Sequence, residues 1–460
     1  MRALLVGLGL VVIAALGVLF VEPFAPTVSV DGLGGTIGRG TPLRVTARDR
    51  GSGLSRVEAR LVPADGGEPL VLARTEFPRQ GWFGSGVHET TLTPTLGANV
   101  PVTEGKATLE VYAADHSLLS ALRRAPRFSQ GVIVDVTPPA LALVGKGHPA
   151  RLGSSDLVIL RVGADAVSSG VQVGDLFFPA TDGVFQEADL HPVIFALPEN
   201  APGVRPVAIA TDGAGNRAEA ALDVQVQPRK FAEKKLAVTD AFLQHKVPEL
   251  LSQNGMAPST DLLEGYLRIN RDLRQSTEAR IRDLCSTSAP APLWTESFVR
   301  MPGAPLSGFA DRRTYTHDGT VIDHQTHLGQ DIASLKNAVV PAANTGRVVF
   351  VGPLGIYGNS VIIDHGLGLF SLYGHLSEAT VKEGAQVARG DPIGKTGDTG
   401  LAAGDHLHFS MMVHGVHVDA NDWWDHHWVG ERILAPMGDH QKVAAPAQPA
   451  QAPPPQESTP

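Results

Sequence analysis

The chain opens on an uncharged apolar run over residues 3–21, "ALLVGLGLVVIAALGVLFV", and nothing later repeats it. Its length is near the roughly 20 residues that cross a bilayer as a helix, so residues 1–24 are predicted to be a transmembrane signal anchor. The bulky "VLFVEPF" stands where a cleavage site needs small residues. Arg2 is a positive mark on the side that stays in the cytoplasm. The expected location is therefore the cell membrane, single-pass, with the bulk of the chain extracytoplasmic and anchored in the inner membrane. From residue 26 to 228 the pattern changes to short alternating Val/Leu/Ala runs broken by Gly, Pro, Asp and Ser, the period of antiparallel β-sandwiches. Residues 229–288 turn to Leu, Glu, Lys and Arg at helical spacing, with Leu263, Leu267 and Leu273 on neighbouring turns and a break around "NGMAPS". Residues 289–440 return to β character, and residues 441–460, rich in Pro, Ala and Gln, are predicted to be a disordered tail that cannot bury a core. The fold class is mainly β with a short helical connector.

The first β region repeats itself. "LRVTARDRGSGLSRVEARL" is echoed by "ILRVGADAVSSGVQVGDL", and "LEVYAADHS" by "VAIATDGAGNRAE". Two modules, 26–137 and 138–228, meet near "VDVTPPALALV", where Pro138 and Pro139 break any ladder. The strand followed by "DGAGN" resembles bacterial immunoglobulin-like repeats, which implies two immunoglobulin-like sandwiches that space or dock, a protein partner being one expectation for docking. Asp49, Asp115, Asp165 and Asp212 read as turn residues, an ion site being the alternative.

Composition narrows the chemistry. There are 47 acidic and 38 basic residues, a net charge of −9, and no basic run forms a stripe for phosphates, which argues against nucleic acid as a partner. Cys285 is the single cysteine, so neither an intramolecular disulfide nor a cysteine-based zinc site is available. Any metal must be held by His and carboxylate.

Those residues gather in the last β region. "THLGQDIA" places His327 four residues before Asp331, so in an extended segment both can face one side. "SLYGHLS" ends a strand-like run with His375, and "GDHLHFS" puts His406 and His408 on one face of a strand behind a Gly-rich loop. A catalytic zinc commonly takes two imidazoles and a carboxylate and leaves a position for water. His327, Asp331 and one of the His406/His408 pair meet that count, with the remaining imidazoles available for acid/base work.

The segments "HLGQDIA", "GNSVIIDHGLGLFSLYGHLS", "VKEGAQVARGDPIGKTGDTG", "DHLHF" and "HGVHVDA" stand in the order and spacing of the lysostaphin/LytM-type zinc metallopeptidases, which cut peptide cross-bridges or stem peptides of bacterial cell walls. The resemblance covers roughly the last third of the chain before the tail. It implies an antiparallel β peptidase domain with one zinc held by His327, Asp331 and His408, and His375 and His406 as catalytic imidazoles. Its implied partners are peptidoglycan peptides. Gln330 and His417 depart from the family's usual aliphatic residue and proline. A non-hydrolytic wall-binding regulator that activates another hydrolase is the alternative. Outside the five residues, His324 reads as exposed loop and His365 as a structural hairpin residue. His414, His417, His426, His427 and His440 read as surface or packing, Trp423, Trp424 and Trp428 as packing, and Tyr373 and Asn359 as groove lining.

Overall fold

A computed structural model describes residues 22, 24–80, 86–97, 102–145 and 147–440. The expected anchor at 3–21 and the expected tail at 441–460 lie outside the described residues. Among the described residues no helix is long and apolar enough to cross a membrane. The chain forms two compact units: Met1–Leu141 with Gly163–Ser169 and Ile209–Glu219, and Ala142–Val162 with Gly170–Ala208 and Ala220–Pro460.

In the first unit a three-stranded antiparallel sheet (Thr27–Asp31, Arg44–Arg48, Glu89–Leu92) accompanies a five-stranded one built around Leu54–Pro63 and Gly105–Asp115. Alternation in Gly105–Asp115 turns Ala107, Leu109, Val111 and Ala113 inward, as a strand period of two requires. Val45 and Ala47 of the small sheet share a core with Val57, Ala59 and Val111 of the large one.

In the second unit Ser155–Val162 pairs antiparallel with Leu190–Ala196. Beyond it lies an eight-stranded sheet whose central strands run in the order Gln330–Ala333, Leu407–Val413, Leu369–Gly374, Asn359–Gly366 and Gly346–Pro353, antiparallel throughout. Leu369–Gly374 and Leu407–Val413 are buried at every position, the signature of strands covered on both faces.

The region expected to be purely helical begins as a strand. Glu233–Ala237 pairs parallel with Arg312–His317, its Lys234 and Leu236 turned inward by alternation. Helix Asp240–Gln253 follows, capped by Thr239, whose Oγ1 accepts from the Phe242 N–H at 3.3 Å. A break containing Gly255 at φ 63° precedes helix Leu262–Arg268, capped by Asp261, and a continuous run to Leu284. Leu243, Val247, Leu250, Tyr266, Ile269 and Ile281 share one core with Ile356, Tyr357, Ile362, Phe370, Leu372 and Met412 of the sheet region. Each such side chain contributes about 1.5–3 kcal/mol when fully buried. The helices are thus part of the same folded body as the eight-stranded sheet and no loose tether.

Candidate active site

Strand register builds the site. Asp331 lies directly opposite His408, and His408 opposite Gly374, so three adjacent strands bring Asp331, His408 and the start of the His375 loop side by side. His375 leaves its strand at φ 62°, a left-handed conformation that a residue with a Cβ adopts at a cost. The turn is held by two hydrogen bonds, His375 N–H to the Tyr357 carbonyl at 2.7 Å and Leu376 N–H to the Asn359 carbonyl at 2.9 Å. His327 sits in the loop before Gln330–Ala333, its N–H donating to the Asp311 carbonyl at 3.0 Å. His406 enters Leu407–Val413 through a bridge with Gly397.

His327 Nε2 lies 3.0 Å from Asp331 Oδ1 and 3.1 Å from His408 Nδ1, and the last two are 3.0 Å apart. The outer atoms decide which ring nitrogens carry protons. His327 Nδ1 faces the Gly308 carbonyl at 2.8 Å, and a carbonyl only accepts, so the proton is on Nδ1 and Nε2 presents a lone pair. Ser410 Oγ donates to the Leu328 carbonyl at 2.8 Å, which leaves it to accept from His408 Nε2–H at 3.0 Å and frees Nδ1. Two imidazole lone pairs and a carboxylate oxygen therefore converge, all buried, with no proton between them. Such a set fits a cation, and its His₂-carboxylate composition fits a four-coordinate zinc with a position left for water. Gly329 is needed beside it, because a Cβ there would stand 2.5 Å from His408 Nε2.

Burial opposes ionisation of Asp331, but the polar surroundings made by the His327, His406 and His408 rings outweigh it and hold the carboxyl well below its usual range. Burial pushes His408 down to about 4, keeping it neutral. Burial and then the neighbouring His406 and His408 lower His375 well below the ordinary imidazole value. His406 is half-buried; burial lowers its pKa, yet the hydrogen bond and charge of Asp331 raise it overall.

The rings of His375 and His406 lie 4.8 Å apart, and His375 is 5.8 Å from His408. His375 Nδ1 donates to the Thr399 carbonyl at 2.8 Å and His406 Nδ1 to the Gly404 carbonyl at 2.7 Å, so each has Nε2 as its remaining nitrogen. All five residues line one cleft of about 950 Å³, with Tyr357, Arg313 and Phe242 among the other walls.

Two lining residues had no signal in the sequence. Arg313 donates to Asp331 Oδ2 at 2.9 Å, holding the far oxygen so that Oδ1 faces the imidazoles. The Tyr357 ring lies 4.9 Å from that of His408, and its hydroxyl donates to Glu278 Oε1 at 2.8 Å. Replacing Arg313 by Met is expected to weaken metal binding by about 10–100-fold, the usual loss for an outer hydrogen-bond partner. Competition with a chromophoric chelator measures it.

Three expectations are corrected, those for Tyr373, Asn359 and His324, while those for His417, His365 and Trp423 agree with their packing. Tyr373 does not line the groove: it is 1 % exposed, and its hydroxyl accepts from the Ala343 N–H at 2.7 Å, deep in the sheet. Asn359 is likewise absent from the cleft walls. His324 is exposed but stands in the strand Thr320–Thr326, not a loop. His417 is buried and bonded to Glu278 Oε2 at 2.9 Å, so the helix Arg274–Leu284 supplies its partner. His365 is structural, between the Thr345 carbonyl and Ser371 Oγ, and Trp423 is packed edge-on against Trp294 and Phe298.

Residues 325–420 match the model of "Peptidase family M23", a span that contains all five residues. The chain carries a peptidase family M23 domain. Among curated proteins, peptidoglycan DD-endopeptidase ShyB of Vibrio cholerae is 36% identical over 114 residues, 25% of this chain and 26% of that one. DD-carboxypeptidase/endopeptidase Mpg of Neisseria meningitidis is 40% identical over 89 residues, 19% of this chain and 20% of its own. Murein hydrolase activator EnvC of Escherichia coli is 35% identical over 95 residues, 21% and 23% of the two chains. The chain thus spans about a quarter or less of these relatives' lengths in the matches.

Proposed function

We propose that this chain is a zinc-dependent endopeptidase that hydrolyses peptide cross-links or stem peptides of bacterial peptidoglycan. The observation that carries the reading is the convergence of His327 Nε2, Asp331 Oδ1 and His408 Nδ1 beside two further imidazoles in one cleft. His327, Asp331 and His408 would hold one zinc ion, which supplies Lewis acidity and makes a water acidic enough to be deprotonated near neutral pH.

The remaining roles fall to the chain's own groups. With Nδ1–H fixed on the Thr399 carbonyl, His375 presents Nε2 to the cleft and takes a proton from the attacking water. His406, with Nδ1–H on the Gly404 carbonyl, has Nε2 3.5 Å from Asp331 Oδ1, which favours the imidazolium. As imidazolium it stabilises negative charge developing on the scissile carbonyl and passes a proton to the leaving amine. Arg313 keeps Asp331 in register.

EnvC's description as a murein hydrolase activator makes a wall-binding regulator the second reading. The five groups in one cleft favour hydrolysis over it. Release of dye from labelled sacculi tests the proposal: chelation is expected to abolish release and added zinc to restore it. Release unaffected by chelation, or none at all from the zinc-loaded chain, would contradict it.

In this reading residues 3–21 anchor the chain in the inner membrane, with the M23 domain outside the cytoplasm facing its substrate. Residues 26–137 and 138–228 are immunoglobulin-like modules that offer a partner protein a docking surface; the two sheets that share a core within the first of them support its reading as a sandwich. N-terminal sequencing of the mature protein is expected to begin before residue 22, and a start beyond it would replace the anchor by a cleaved signal.

A further inference from the structure

Away from the M23 domain, the first unit gathers three carboxylates with no role in the chemistry above. Glu22 precedes the first strand, Asp49 follows Arg44–Arg48, and Asp115 ends Gly105–Asp115. All three are buried, at 7 %, 5 % and 3 % exposure, and one oxygen of each lies within 4.8 Å of the other two. Three carboxylates so close present a concentration of oxygen acceptors with the charge type that a cation complements.

Their protein partners are one guanidinium and several N–H and O–H donors. Arg123 reaches Asp115 Oδ2 at 3.1 Å, and Ser117 donates to Asp115 Oδ1 from its N–H at 2.9 Å and its Oγ at 2.6 Å. Asp49 Oδ2 accepts from the Gly51 and Gly53 N–H groups at 3.1 and 2.7 Å, and Glu22 Oε2 from the Ser52 N–H at 2.8 Å. Asp49 Oδ1, equally buried, has no hydrogen-bond partner among the described residues. In a pocket already crowded with acceptors, what that oxygen lacks is a cation. The loop packs tightly against the cluster: a Cβ on Gly51 would fall 1.7 Å from Glu22 Oε1.

We propose that Glu22, Asp49 and Asp115 form a calcium site. Calcium takes six to eight oxygen ligands at about 2.3–2.6 Å, so oxygens on opposite sides of the ion stand up to about 5 Å apart, in keeping with the spacing here. Carboxylates from three separated segments, supplemented by carbonyls or water, suit its flexible shell better than a rigid octahedron. Arg123 neutralises part of the charge, which places the affinity in the weak range, a Kd of about 10⁻⁴–10⁻³ M. The ion would fasten Glu22, at the end of the segment that leads from the apolar run, to two strand ends of the sandwich. The site is independent of the peptidase reading.

The test is a calorimetric titration of calcium into the full, zinc-loaded chain at fixed ionic strength, with thermal unfolding followed in parallel. One calcium per chain is expected, with a calcium-dependent rise in Tm. Binding should weaken at least about tenfold in Glu22→Gln and in Asp49→Asn, and persist in His408→Ala. Because Asp49 also ties its own loop, Glu22→Gln is decisive should Asp49→Asn fail to fold. No saturable binding up to about 10 mM, well above that affinity range, or an isotherm unchanged in Glu22→Gln, would overturn the site.

Discussion

Replacing His375 by Ala is expected to lower kcat by about 10²–10⁴-fold, the usual contribution of a positioned acid/base group, while the metal stays bound. The expectation follows from where the ring is tied. Its only protein hydrogen bond among the described residues is from Nδ1 to the Thr399 carbonyl, and it stands behind His408 with its centroid 5.8 Å away, outside the converging triad. Removing it takes nothing from the cation's donors. His406→Ala should behave in the same way, since the three donor atoms that approach within 3.1 Å of one another do not include its own. Parallel measurement of turnover and of zinc per chain decides the point. Loss of zinc along with activity in both variants would overturn the division between holding and reacting groups.

The converse loss is expected at His408. His408→Ala removes one of three donors and leaves His327 and Asp331 facing each other with a third of the coordination gone, so metal affinity should fall by more than the roughly 100-fold typical of outer-shell changes. Activity should fall with it. The variant also strips Ser410 of a hydrogen-bond partner and Tyr357 of the ring it packs against, both buried. A Tm decrease is therefore expected even for the metal-free chain, as in other large-to-small changes in a packed interior. Full zinc occupancy in His408→Ala would show that the donor set is wrongly assigned. Thermal unfolding with and without chelator separates the two effects, because only the wild type should lose stability on chelation.

How much of this was legible in the sequence depends on how local the signal was. The period of two in "HLHF" already placed His406 and His408 on one face, and the loop and strand around His327 and Asp331 carried their own spacing. Arg313 could not be found that way. Its hydrogen bond to Asp331 crosses between segments whose relation is settled only when the sheet assembles, and an Arg in "DRRTYTH" looks like any exposed strand residue. Tyr357 lines the cleft and Tyr373 does not, for a related reason. Leu369–Gly374 is covered on both faces, so alternation there says nothing about which face meets the cleft, whereas Tyr357 reaches it from a short turn after Gly346–Pro353. His417, read as surface or packing, depends on Glu278 in a helix far away in the chain, and no short-range pattern announces such a pair. The strand Glu233–Ala237 was hidden because five mostly charged residues at a sheet edge resemble the start of a helix.

The central claim, that the chain opens peptide links of the wall, is tested most directly by incubating the zinc-loaded chain with purified peptidoglycan and separating the soluble products by mass. The account predicts products with newly formed amino and carboxyl termini on their peptides and intact glycan strands, none of which form in the presence of chelator or with His375→Ala. No products from several wall types, together with strong stimulation of a separate hydrolase added to the same digest, would contradict it and leave the regulator reading in its place.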